Sequence, residues 1–141
     1  MEVWRARALE HFPELQDEIN RNQGGPLGLW DDLYYALTTA YERMPANDDL
    51  IGRVYDYAAW CFQQPRTGDA ETDLSNAVAV GLIESLPLHE GASDDLYRWL
   101  SIETFVGCES LFRYHLSDDK FRKFQAHFLA KKKDYSGPSR V

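Results

Sequence analysis

Four aspartate pairs are the residues whose type and spacing come nearest to chemistry: Asp31-Asp32, Asp48-Asp49, Asp94-Asp95 and Asp118-Asp119. Each falls near a predicted helix start. A carboxylate in a first helical turn complements the helix dipole by about 0.3–1 kcal/mol, which is sufficient reason for its presence. Geometry adds a second reading. If the helices beginning near 48, 94 and 118 run in one direction, their acidic ends rim one end of the molecule and would steer a basic partner. Asp48, Asp49, Asp94 and Asp95 are therefore candidate partner-binding residues. Tyrosines add to them. Tyr34, Tyr35, Tyr41, Tyr55, Tyr57 and Trp60 fall on two successive segments. A single helical stripe does not bury both Tyr34 and Tyr35, nor both Tyr55 and Tyr57. Exposed tyrosines suit interfaces, so Tyr34, Tyr35 and Tyr55 join the candidates.

Other chemistries find no matching spacing. His11, His89, His115 and His127 form no His-x-x-x-His or Glu-x-x-His pair, so no metal is expected. Cys61 and Cys108 lack a Cys-x-x-Cys companion and read as reduced core thiols. Gly24-Gly25-Pro26-Leu27-Gly28 precedes a helix, but it has no strand before it and no P-loop lysine, and it reads as a turn. Lys131-Lys132-Lys133 follows the last apolar stripe, where cations complement a helix C-terminus. No residue set marks a nucleophile or a cofactor site, and the expectation is a protein that is not an enzyme.

The elements that must position these residues are helical. At 141 residues the chain is one domain by size. Its 44% apolar and 13% aromatic content argues for a folded core and against disorder. No apolar run approaches the roughly 20 residues of a membrane span. The start of the chain, Met1 to Arg5, has no apolar signal core, which makes the cytoplasm the expected location. Charge is uneven. Residues 1–116 hold 8 arginines, no lysine and 20 acids, a net of −12, whereas residues 117–141 carry a net of +4. An acidic body disfavours nucleic acid and favours a basic partner or simple solubility.

Helical spacing predicts segments over 2–11 and from Pro13, then from Leu27 to Met44 with Trp30, Leu33, Leu37, Ala40, Tyr41 and Met44 on one face. Asn47 caps the next, which buries Leu50, Ile51, Val54, Tyr57, Ala58 and Cys61. The stretch Asp73–Glu84 includes seven residues, Ala77 to Ile83, with no polar side chain. A helix apolar all round is enclosed by the rest of the protein, so Val80 is expected in the core. Ser93 caps a helix with Leu96, Trp99 and Leu100, and a further helix spans Ile102–Leu116. Ser117 caps the last, where Phe121, Phe124, Phe128 and Leu129 make the buried stripe. Residues 1–135 form the domain and residues 136–141 a flexible tail. The expected architecture is all-α, a stack of seven to eight antiparallel helices resembling a short α-α superhelix.

Three phrases carry a resemblance: His11-Phe12-Pro13-Glu14-Leu15, Val54-Tyr55-Asp56-Tyr57-Ala58-Ala59-Trp60-Cys61, and Asn76 to Glu84. Over roughly residues 11–129 the chain resembles a group of small, mostly uncharacterised bacterial all-helical proteins with a HEAT-like, α-α superhelical look. Some similar acidic proteins are immunity proteins that neutralise toxins. The resemblance implies the fold and, as a function, a protein–protein interaction module of immunity type. It transfers no catalytic residue. The alternative expectation is a helical domain that binds a small or regulatory ligand between helices.

Overall fold

Helix α4 (Asp48–Phe62) packs against three other helices in the computed structural model, which describes all 141 residues. It starts as its sequence predicts. The Asn47 side chain accepts a hydrogen bond from the Leu50 N–H at 3.3 Å, and Asp48 and Asp49 sit in the first turn. The whole expected stripe is buried. Tyr55 and Tyr57 are both buried as well, which corrects the expectation that one of them stays outside. The reason is that α4 has neighbours on several sides: α1 (Val3–His11), α3 (Gly25–Glu42), α5 (Leu74–Gly81) and the Trp99 ring. Tyr57 lies among Phe12, Trp30 and Trp60 and donates its hydroxyl to the Trp4 carbonyl at 3.0 Å. A tyrosine can bury its ring when its polar tip finds a backbone acceptor.

Helix α5 is less enclosed than its apolar sequence suggests. Asp73 caps it, accepting from the Asn76 N–H at 3.0 Å, and Ala77, Val78 and Gly81 are buried against α3 and α4. Val80 points away and is 39% exposed, so it is not a core residue. Apolar side chains are common on protein surfaces, and an apolar sequence does not by itself demand neighbours on every side. The enclosed part comes next, in the 3-10 turn Ile83–Leu88 and its approach, where Leu82, Ile83 and Leu86 have no exposure. Gly81 sets the spacing of α5 and α3: a Cβ there would stand 2.4 Å from the Trp30 Cβ.

The other helices wrap this centre. A 3-10 turn, Pro13–Leu15, leads into α2 (Gln16–Arg21), and the Arg5 guanidinium ties α1 to α2 through the carbonyls of Ile19 and Asn22. Helix α3 ends at Glu42, before the expected Met44, which lies beyond it and is 96% exposed. Helix α6 (Glu90–Asp95) begins earlier than predicted, because the His89 ring, rather than Ser93, caps it through the Ala92 N–H. The predicted helix over Ile102–Leu116 is two, α7 (Ile102–Gly107) and α8 (Glu109–Arg113), with the bend at Cys108 bringing Phe112 to 4.9 Å from Phe105.

Helix α9 (Asp118–Asp134) is capped by Ser117 as predicted. It buries Phe121, Phe124 and Phe128, while Leu129 stays exposed. Residues 136–141, expected to fray, are held instead. The Arg140 and Val141 N–H groups donate to the Trp99 carbonyl, and the Ser101 N–H donates to the Val141 carbonyl. The Arg140 guanidinium binds Asp56 at 2.7 Å. The fold is all-α: nine helices, no strand. No helix is long and apolar enough to cross a membrane.

Candidate partner-binding surface

Two of the four aspartate pairs converge, on the guanidinium of Arg98. Asp94 and Asp95 lie in the last turn of α6, where the dipole disfavours carboxylates, so side chains must hold them. Asp95 accepts hydrogen bonds from the Tyr41 hydroxyl at 2.7 Å, from Arg98 at 2.6 and 2.8 Å, and from the Trp99 indole at 3.0 Å. The same Arg98 reaches Asp48 at 2.9 Å. One guanidinium therefore joins the pair at the start of α4 to the pair at the end of α6. Hydrogen bonding to Asp95, and then to Asp48, drives the Arg98 pKa higher still. Burial raises the Tyr41 pKa, so its hydroxyl remains a donor. Asp49 pairs with Arg53, which also holds Glu14 at 2.6 Å. Asp94 stands 3.5 Å from the His127 ring. Asp118 pairs with Arg113 at 2.7 Å. Asp31 and Asp32 are in the second turn of α3, not at its start. Three arginines thus meet four of the six predicted rim carboxylates, while Asp94 faces only a histidine and Asp119 has no cation within ion-pair distance.

The tyrosines separate in the same way. Tyr55 is fully buried, stacks on Trp99 at 5.4 Å with 6° between the planes, and has no hydrogen-bond partner for its hydroxyl. It cannot meet a partner protein. Tyr34 is half-buried and donates to the Ser85 carbonyl at 3.1 Å. Tyr35 alone of the three is free, at 73% exposure.

Tyr35 stands on a groove of about 330 Å³ between α2, α3 and the start of α4. Leu15, Ala36, Ala40 and Leu50 supply its apolar lining. Glu18, Asp32 and Arg43 are exposed on its edge. Neither Glu18 nor Asp32 pairs with a cation, and Asp32 meets only the Asn22 amide at 3.5 Å. Sequence reasoning missed Leu15, Glu18 and Arg43. A signal was present: Asp32, Tyr35, Ala36, Thr39 and Arg43 follow one another at helical spacing and make a second, wetter stripe on α3.

A second cleft of about 400 Å³ lies between the end of α4, α7 and the C-terminal segment, lined in part by Phe62, Thr104, Cys108 and Val141. Both cysteines are free thiols. Burial pushes the Cys61 thiol up to about 12 and raises Cys108, so neither is a poised thiolate. No group of three His, Cys, Asp or Glu side chains is arranged to hold a metal ion.

A family described as a domain of unknown function (DUF7674) matches residues 5–115. The chain belongs to the DUF7674 family. No curated protein and no solved structure matches the chain. The DUF7674 portion runs from α1 through α8 and contains both the Asp95 clamp and the Tyr35 groove. Helix α9 lies outside it and is chemically different. Lys120, Arg122, Lys123, Lys131 and Lys133 are all exposed, and none approaches a carboxylate within ion-pair distance.

Proposed function

We propose that this DUF7674 protein is a non-enzymatic protein–protein interaction module that takes a basic protein partner in the groove beside Tyr35. The observation that carries the reading is an exposed tyrosine set over an apolar groove whose edge holds two carboxylates, Glu18 and Asp32, without an ion-pair partner, against one cation, Arg43. A tyrosine offers a large, rigid contact area, and free carboxylates steer a cationic surface toward it. The specific form we propose is an immunity-type inhibitor acting in the bacterial cytoplasm on a basic toxin. The acidic body and the resemblance of the core phrases support that form. Asp95, held by Tyr41, Arg98 and Trp99, we assign to the architecture rather than to the docking face.

The test is association kinetics with a basic partner recovered from the native host. Tyr35→Ala combined with Glu18→Gln and Asp32→Asn should slow association at low salt. The electrostatic share of that loss should fade above roughly 0.5 M salt, where the Debye length falls below about 5 Å. A folded triple variant that binds at the wild-type rate would sink the reading. The cleft beside Cys108 favours a second reading, ligand binding between helices, since its size falls within the range of small-molecule sites.

A further inference from the structure

The last residues of the chain sit in the fold as a bound peptide sits in a receptor. Two successive N–H groups, of Arg140 and Val141, donate to the Trp99 carbonyl at 2.8 and 3.0 Å, and the Ser101 N–H donates to the Val141 carbonyl at 2.9 Å. Backbone bonds of this kind accept any sequence, so selection falls to the side chains. One guanidinium nitrogen of Arg140 meets both oxygens of Asp56 at 2.7 Å. The same guanidinium lies 5.7 Å from the centre of the Trp99 ring, within cation–π range. Arg98, the other cation over that ring, is held by Asp95 and Asp48. Beside Val141 opens the cleft of about 400 Å³, with Ala59, Phe62 and Cys108 in its lining. That volume remains with the Val141 side chain in place, so a longer apolar side chain would find room there.

We propose that this groove is a binding site for a peptide carrying an arginine followed by a large apolar residue, and that residues 136–141 are an internal strap which such a peptide displaces. Asp56, Phe62, Trp99, Ser101 and Cys108 all lie within the span matched by the DUF7674 family, and the strap lies outside it. The strap is held lightly. Arg140 and Asp56 keep 42% and 40% of their side-chain surface exposed, and an ion pair so well wetted contributes little. At its other end the Ser139 hydroxyl meets Lys132 at 2.6 Å. Tethering compensates for weak contacts, since a short link holds a segment at an effective concentration of about a millimolar. A free peptide overcomes that advantage by burying in the cleft an apolar side chain that Val141 does not supply. The net charge of −8 favours the approach of a cationic peptide. None of these residues belongs to the Tyr35 groove, so the inference goes beyond that reading and stands or falls apart from it.

The probe is an amidated fluorescent peptide that copies residues 136–141 with Val141→Phe, and the readout is its anisotropy against the full chain. A ligand's apparent affinity falls with the fraction of molecules whose site is closed. Arg140→Glu, which sets a carboxylate against Asp56 and frees the strap, should therefore tighten binding by about tenfold. Asp56→Asn added to Arg140→Glu should weaken it again by about tenfold, because the arginine of the peptide loses its charged acceptor. In wild-type protein saturated with the peptide, the amide resonances of Arg140 and Val141 should move to the positions of an unstructured chain. Binding no tighter to Arg140→Glu than to the wild type, binding indifferent to Asp56, or Arg140 and Val141 amides that stay in place in the saturated complex would each overturn the proposal. Glu18→Gln with Asp32→Asn should leave the affinity for the peptide unchanged. A loss there would put the peptide in the Tyr35 groove and overturn this inference in favour of that reading. If the peptide meets every expectation while a basic partner ignores the Tyr35 variants, the strap inference stands and the Tyr35 reading fails.

Discussion

The arginines of residues 1–116 and the cations of α9 have opposite uses. In the first region Arg5, Arg7, Arg53, Arg66, Arg98 and Arg113 each bind a carboxylate of the same chain, and Arg53, Arg98 and Arg113 bind two. In the second, Lys132 holds the Tyr97 carbonyl and the Ser139 hydroxyl, while the other cations of the helix face water. What fixes α9 is apolar: Phe128 stacks on Phe105 at 4.1 Å with 10° between the planes, and Phe124 packs against Phe105 and Phe112. A net charge therefore says little about which charges are available. The acidic body uses six of its eight arginines, Arg21 and Arg43 binding no carboxylate, and still leaves Glu18 and Asp32 without an ion-pair partner. The basic helix leaves nearly all its cations free, because its attachment does not need them.

The largest effect should come from the apolar attachment. Phe128→Ala removes a buried ring and leaves a cavity against Phe105, at a cost of about 3–5 kcal/mol. Denaturant melts give the value, and a midpoint unchanged from wild type would show α9 to be an ornament on an independent body. A smaller loss is expected in the clamp. Asp95→Ala takes the acceptor from the Tyr41 hydroxyl, the Trp99 indole and Arg98 together, and leaving part-buried donors unmatched costs about 2 kcal/mol. Calorimetry should find a lower melting temperature for this variant. A neutral result would return Asp95 to the list of residues kept for a partner. The smallest effect belongs to the free cations: Lys131→Gln with Lys133→Gln should change stability by no more than about 0.5 kcal/mol. A clear loss there would mean that these lysines serve the fold through contacts absent from the present geometry.

Helix type, order and most buried stripes were legible because they depend on local spacing. Asn47 and Ser117 cap as their side-chain chemistry dictates, and Leu33, Leu37, Val54, Ala58, Phe121 and Phe124 follow the helical period into the core. The misses have tertiary causes. Whether Val80 or Tyr55 is covered depends on which helices pack beside them, and a single segment does not contain that information. His89 does not stand out as a cap in sequence because its ring nitrogen, not a hydroxyl or carboxylate, accepts the bond. The C-terminal segment looks frayed in sequence because the bonds that dock it run to Trp99 and Ser101, far away along the chain. The candidate surface was legible in part. Tyr35 was identified from crowding of tyrosines, but its groove needs α2 and α4 brought to α3.

Trp99 turns the packing of this molecule into an optical signal. Its ring lies flat on Tyr55, under the guanidiniums of Arg98 and Arg140, with its indole N–H on Asp95 and its carbonyl holding the last two residues. A stacked tyrosine–tryptophan pair in a fixed frame couples its electronic transitions, and neighbouring cations and carboxylates shift the emission of an indole. Release of the C-terminal segment, rearrangement of the clamp and loosening of α4 would each alter that one chromophore. The protein thus carries an intrinsic reporter at the junction of three of its parts, superposed on the emission of Trp4, Trp30 and Trp60.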